Sequence, residues 1–139
     1  MTDIKKIKKI GDALPKQKGH ILGEEGTDES VRNSTISWMT ENQETEWIYD
    51  RLYDEICEAN KINWNFQLTG FTESIQYSTY TAPGDHYDYH LDIDGTGSSQ
   101  AVSRKISMVI LLTDPKEYEG GELILKTRGS EINLKKKAG

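Results

Sequence analysis

The chain has 139 residues, a net charge of −6 and a single cysteine, Cys57. One domain is the natural size, the acidic balance disfavours nucleic acid as a partner, and one cysteine excludes an internal disulfide and suits a reducing, cytoplasmic compartment. Mean hydropathy is low, at −0.71, but three Trp and seven Tyr supply bulky core material. No apolar run approaches the roughly 18 residues of a membrane span. The N-terminus also lacks the apolar segment of a signal peptide, so neither membrane insertion nor secretion is expected.

Residues 1–30 are rich in Lys, then in Gly, Glu and Asp, with Pro15 among four glycines, Gly11, Gly19, Gly23 and Gly26. They read as a loop-rich lead-in with at most one short strand or helix, and the domain proper is expected over 31–139. The basic runs Lys5-Lys6-Ile7-Lys8-Lys9 and Lys135-Lys136-Lys137 read as solvated terminal segments. Val31 to Met39 is rich in β-branched residues and predicts a strand with Ile36 and Trp38 on one face.

Thr40-Glu41-Asn42-Gln43 fits a capping box and opens a helix predicted over about 41–59. Ile48, Leu52 and Ile56 recur every four residues, widened by Trp47, Tyr53 and Cys57, and predict a core-facing stripe that ends near Asn60. From Ile62 the character turns to β. Ser74–Thr81 and Tyr87–Ile93 read as strands separated by Pro83-Gly84, with a loop over Asp94–Ser99. Lys105–Thr113 is almost continuously apolar, as expected of a strand buried on both faces. After a loop from Asp114 to Gly121, Glu122–Lys126 and Glu131–Lys135 predict a hairpin around Arg128-Gly129-Ser130. The fold class expected is α+β, a helix followed by short antiparallel strands. A sheet made of these strands alone would leave an unprotected edge, so part of a barrel or sandwich is expected.

The chemistry lies in His90-Leu91-Asp92. Residues i and i+2 of a strand share a face. If 87–92 are extended, the His90 imidazole and the Asp92 carboxylate project side by side. They would supply two donors of a 2-His-1-carboxylate facial triad, an Fe(II) site. His86-Tyr87-Asp88 has the same form and parity, so periodicity leaves both open, beside the plain alternative of surface histidines near a turn. Asp92-x-Asp94-x-Thr96-Gly97 imitates the start of an EF-hand loop. Ser103 stands where a bidentate Glu is needed, which excludes an EF-hand and leaves at most a weak cation loop. A zinc hydrolase is unsupported without H-E-x-x-H or a Cys pair.

Several spaced motifs resemble one family. Arg32-x-Ser34-x-Ile36-x-Trp38, the Trp47 helix, Ile75-Gln76-Tyr77, Tyr80, Tyr87 and His90-Leu91-Asp92 stand in the order found in the Fe(II)/2-oxoglutarate dioxygenases. They are most similar to the prolyl 4-hydroxylase-like, PKHD-type branch. Arg104–Val109 and Tyr118-Glu119-Gly120-Gly121-Glu122-Leu123 continue the likeness, which covers about residues 31–135.

The resemblance implies a helix packed on part of a double-stranded β-helix (jelly-roll) core, incomplete at the C-terminus. It favours His90 and Asp92 over His86 and Asp88, because Tyr80 and Tyr87 stand ten and three residues before the family's His. It also implies a cosubstrate contact from the Tyr80 hydroxyl and an apolar one from Leu111. The cofactors implied are Fe(II) and 2-oxoglutarate, with ascorbate beside them. The substrate implied is a prolyl or other residue in a peptide or protein, or a small molecule, hydroxylated at an unactivated C–H bond. The family's second iron-binding His, and its cation for the far carboxylate of 2-oxoglutarate, are expected beyond Gly139. His86 is a weak substitute ligand, Lys126 and Arg104 are conceivable cations, and these 139 residues alone are expected to turn over little. A non-catalytic metal-binding or interaction β domain with a degenerate site is the rival expectation.

Overall fold

A computed structural model describes residues 2–21, 28–93 and 104–139. The lead-in is more ordered than composition suggests. Helix α1 spans Asp3–Ala13, and strand β1, Gln17–Lys18, follows it. Ile4, Ile7 and Ile10 lie along one side of α1 and are half-buried, a helical stripe. Gly11 is buried because the Tyr77 ring rests on it; a Cβ there would lie 2.6 Å from ring carbons. Burial and the Asp12 carboxylate, which accepts a hydrogen bond from the Tyr77 hydroxyl at 2.9 Å, push that phenol up to about 12. Asp3 pairs with Arg51 at 2.6 Å and Lys6 lies 5.6 Å from the Trp47 ring centroid. The first basic run is therefore one face of a packed helix.

The predicted strand at 31–39 is present in two pieces, β2 (Arg32–Asn33) and β3 (Thr35–Met39), with Ser34 between them. β3 is the middle of an antiparallel sheet ordered β1-β3-β4, where β4 is Ile75–Thr79. Its register sets Thr35 opposite Thr79 and Met39 opposite Ile75. On β3, Ile36, Ser37 and Met39 are all buried while Trp38 is exposed. The expected one-faced Ile36–Trp38 pattern is thus replaced.

Helix α2 spans Glu46–Asn63, later at both ends than expected. Thr40 does not cap it. Residues 40–45 instead form a tight turn around Thr45, whose hydroxyl donates to the Thr40 carbonyl at 2.7 Å and accepts from the Asn42 N–H at 2.9 Å. At the other end the Trp64 and Asn65 N–H groups both bond the Asn60 carbonyl, and Asn65 takes a left-handed backbone with φ 59°. Asn60 lies inside the helix, and its side-chain amide clasps the Phe66 backbone N–H and C=O at 2.9 Å each.

Ile48 is buried and Leu52 and Ile56 half-buried, as the stripe requires. Tyr49, absent from that stripe, joins helix to sheet: its hydroxyl donates to the Met39 carbonyl at 2.6 Å and accepts from the Ile75 N–H at 3.1 Å. Ile36, Met39, Ile48 and Tyr49 are the buried core, each contributing about 1.5–3 kcal/mol by its removal from water.

Strand β5 is only His86–Tyr87, paired antiparallel with β2 so that Arg32 faces Tyr87 and Asn33 faces His86. The expected strand over 87–93 ends there, because β2 is itself two residues long and offers no further ladder. The expected strand over 105–113 is irregular, and Met108, Val109 and Ile110 are exposed. Burial on two faces needs flanking strands, and none pairs with it among the described residues. The hairpin is present as β6 (Ile124–Thr127) and β7 (Ser130–Asn133), turned by Arg128 and by Gly129 at φ 96°. Before it, a 3₁₀ turn at Pro115–Glu117 is capped by Asp114, and Lys136 donates to the Gly120 carbonyl. Among the described residues, two helices with small antiparallel sheets make the fold α+β. The Asp94–Ser99 loop and the calcium-like sequence beyond Ile93 lie outside the described residues.

Candidate metal centre

After β5 the chain takes one more ladder-like bond, Asp88 N–H to the Val31 carbonyl at 2.8 Å, and then bends. The bend brings His90 and Asp92 together without a strand. His90 Nε2 and Asp92 Oδ1 are 3.3 Å apart. His90 Nδ1 lies 2.7 Å from the Asp88 carbonyl. A carbonyl can only accept, so Nδ1 carries the hydrogen, and in the neutral ring the Nε2 lone pair faces the carboxylate. Two acceptors aimed at each other need a proton or a cation between them. Donors bound to one first-row cation at about 2.1 Å stand roughly 3 Å apart when adjacent, so the pair fits two positions of a metal ion. Both side chains remain partly open to solvent, at 35% and 47%.

His86 is placed differently. Its Nδ1 meets the Gly84 carbonyl at 2.8 Å and its Nε2 meets the Ser30 carbonyl at 3.1 Å. Those two carbonyls raise its pKa above the ordinary histidine value, Gly84 contributing most. Both nitrogens of His86 thus face backbone carbonyls rather than a side-chain carboxylate, and the charged ring that donates to both has no lone pair to offer a metal. The two His-x-Asp triplets share a form in sequence and differ in what their Nε2 atoms face.

The His90 ring is supported from behind. Tyr87 stacks on it with centroids 3.6 Å apart and planes 11° from parallel. The guanidinium of Arg32, on β2, lies 4.3 Å from the Tyr87 centroid. Burial pushes the Tyr87 phenol up, the Arg32 charge pulls it back, and nearby Asp92 and Tyr80 push it up again. In the sequence Arg32 is visible only as a motif position; its chemistry shows once β2 and β5 pair.

Tyr80 lies just past β4, half-exposed and near Tyr87. Leu111 lines a separate groove with Val109, Ile110, Leu123 and Leu134, which has none of His90, Asp92 or Tyr80 in its walls. Both conceivable cations are engaged. Arg104 forms an ion pair with Glu73 and donates to the Asp92 carbonyl, which fixes the backbone of that residue. Lys126 pairs with Glu131 at 3.6 Å and lies over Tyr89. Among the described residues no group of three His, Cys, Asp or Glu side chains could hold a metal, and no helix is long and apolar enough to cross a membrane.

Comparison with known proteins points the same way as these motifs. The chain is similar to proteins named PKHD-type hydroxylases. That of Prochlorococcus marinus is 30% identical over 101 residues, covering 73% of this chain and 44% of that protein. The protein from Shewanella frigidimarina is 33% identical over 58 residues, 40% of this chain and 26% of its own length. One from Nitrosomonas europaea is 32% identical over 69 residues, 45% and 29% respectively. The chain thus spans between about a quarter and under half of these relatives. No family model and no solved structure matches it.

Proposed function

We propose, from this similarity to the PKHD-type hydroxylases, that the chain carries part of an Fe(II)- and 2-oxoglutarate-dependent dioxygenase with a double-stranded β-helix core. The observation that carries the reading is the His90–Asp92 pair, with Nε2 facing Oδ1 at 3.3 Å and Nδ1 tied to a backbone carbonyl. Fe(II) held there would supply the open coordination positions at which 2-oxoglutarate and O2 meet, coupling decarboxylation to succinate with hydroxylation of a C–H bond.

The chain's own residues bind and orient. His90 Nε2 and Asp92 Oδ1 are the two donors, Nδ1–H fixes the tautomer, and Arg104 holds the backbone of Asp92. The half-exposed Tyr80 hydroxyl is assigned to 2-oxoglutarate, and Leu111 to an apolar wall of the cosubstrate pocket. Ascorbate is assigned as an accessory reductant. The substrate is a prolyl or other residue of a peptide or protein, or a small molecule, in the cytoplasm, with neither nucleic acid nor membrane as partner.

The test uses the protein expressed from its complete native reading frame. Supplied with Fe(II), 2-oxoglutarate and a proline-rich peptide pool, it releases succinate above a metal-only blank, and His90→Ala or Asp92→Ala abolishes the release. No succinate from a folded protein would refute the reading. Metal binding without succinate would favour a non-catalytic metal-binding β domain.

A further inference from the structure

We propose that Arg32 is a positioning residue for His90, acting through the ring of Tyr87. This rests on the reading of His90 as a metal ligand, and it concerns a residue that the ligand set does not include.

Arg32 is 5% exposed, and a charge so deeply buried ordinarily pairs with a carboxylate. Among the described residues Arg32 has no such ion pair. Its donors are met by neutral acceptors from three separate stretches of chain. Nε bonds Ser34 Oγ at 3.0 Å, Nη1 the His20 carbonyl at 2.8 Å, and Nη2 Gln76 Oε1 at 2.7 Å. The guanidinium also packs close to Gly19, where a Cβ would come within 2.5 Å of Nε.

The guanidinium is therefore fixed by three hydrogen bonds and the close Gly19 backbone, and it lies 4.3 Å from the Tyr87 ring centroid. Tyr87 in turn lies almost parallel to the His90 ring. The result is a column of guanidinium, phenol and imidazole. Cation–π attraction seats the phenol on the guanidinium. The stacked phenol stops the imidazole from rotating about its side-chain bonds. His90 sits in irregular, part-exposed chain, and the Asp88 carbonyl holds only one edge of its ring. The column supplies the second restraint that keeps Nε2 on Asp92. Orienting a ligand in advance is what outer residues do for metal affinity.

The test uses the chain itself, with Co(II) alone as the metal probe. Tyr87→Leu removes the middle of the column and leaves Arg32's three hydrogen bonds in place. Tyr87→Phe keeps the stack, and Arg32→Lys keeps the charge without the flat plane. In NMR spectra the ring protons of His90 are shifted upfield in the wild type and in Tyr87→Phe, and they return toward ordinary histidine positions in Tyr87→Leu. Co(II) binds about tenfold more weakly to Tyr87→Leu and to Arg32→Lys than to wild type. The double variant is no weaker than Tyr87→Leu, since Arg32 acts through that ring.

The proposal is overturned if His90 shifts and Co(II) affinity are unchanged in Tyr87→Leu. A loss from Arg32→Lys that persists in full in the Tyr87→Leu background overturns it too. A wild-type chain that shows the upfield His90 shift and binds no Co(II) supports the column and counts against His90 as a ligand, so the two readings fail separately.

Discussion

Tyr49→Phe deletes one oxygen from the junction between α2 and the sheet. The phenyl ring stays, and so does its edge-on contact with Phe71, whose centroid is 5.2 Å away at 85°. The hydroxyl serves two backbone groups that face each other at the end of the β3–β4 ladder, the Met39 carbonyl and the Ile75 N–H. Each hydrogen bond has a net worth of about 1 kcal/mol, and a buried group left without a partner costs about 1–3 kcal/mol. Met39 is buried and its carbonyl cannot recover water, whereas Ile75 is half-buried and its N–H can do so in part. The expected loss is therefore about 2–3 kcal/mol. Urea unfolding followed by tryptophan fluorescence reads it. With a slope of about 1–3 kcal/mol per molar for a small domain, the midpoint falls by roughly 0.7–3 M with the slope unchanged. A midpoint within about 0.2 M of wild type would refute the view that this hydroxyl joins helix to sheet.

Gly11→Ala sets a helix-propensity gain of about 1 kcal/mol against an overpacking cost of about 1–3 kcal/mol where the new Cβ meets the Tyr77 ring. Thermal unfolding should show a net loss of about 1 kcal/mol, and a Tyr77→Leu background should turn the change neutral or stabilising. His86 has a raised folded pKa, so its contribution is fully present below the ordinary value near 6.5 and is lost as pH rises through the folded value. The unfolding-temperature gap between wild type and His86→Leu should accordingly be widest in mild acid and shrink in mild alkali; a gap that is constant with pH would contradict this. Lys136→Met removes the donor to the Gly120 carbonyl and the ion pair with Glu122 at 3.3 Å. Global stability should fall by at most about 1 kcal/mol, while amide exchange quickens at Gly120 and Gly121.

Periodicity located α2, the strand at 31–39 and the terminal hairpin, because each is decided by nearby residues. It missed α1 although Ile4, Ile7 and Ile10 stand at helical spacing. Gly11 and Pro15 read as breakers, and the reason for Gly11 is the Tyr77 ring, which arrives from far along the chain. The reverse happened at 105–113, where apolar composition implied a buried strand that no neighbouring strand completes among the described residues. At the site, the His90-x-Asp92 pairing was legible while the strand expected to create it is absent; a bend fixed by the Asp88 carbonyl does the same work. The choice between His86 and His90 rested on the tyrosine spacing of a family resemblance. Its physical difference lies in which carbonyls their nitrogens meet, and those distances depend on Ser30 and on the β2–β5 pairing. Arg32's place behind Tyr87 was illegible for the same reason, since it exists only across strands.

The central claim is that His90 and Asp92, rather than His86 and Asp88, face a metal. Mn(II) titrated into the isotopically labelled chain tests it directly through paramagnetic line broadening. Side-chain signals of His90 and Asp92 should broaden first, His90→Ala should abolish the effect, and His86→Ala should leave it in place. Broadening centred on His86 and Asp88 that survives His90→Ala would contradict the account.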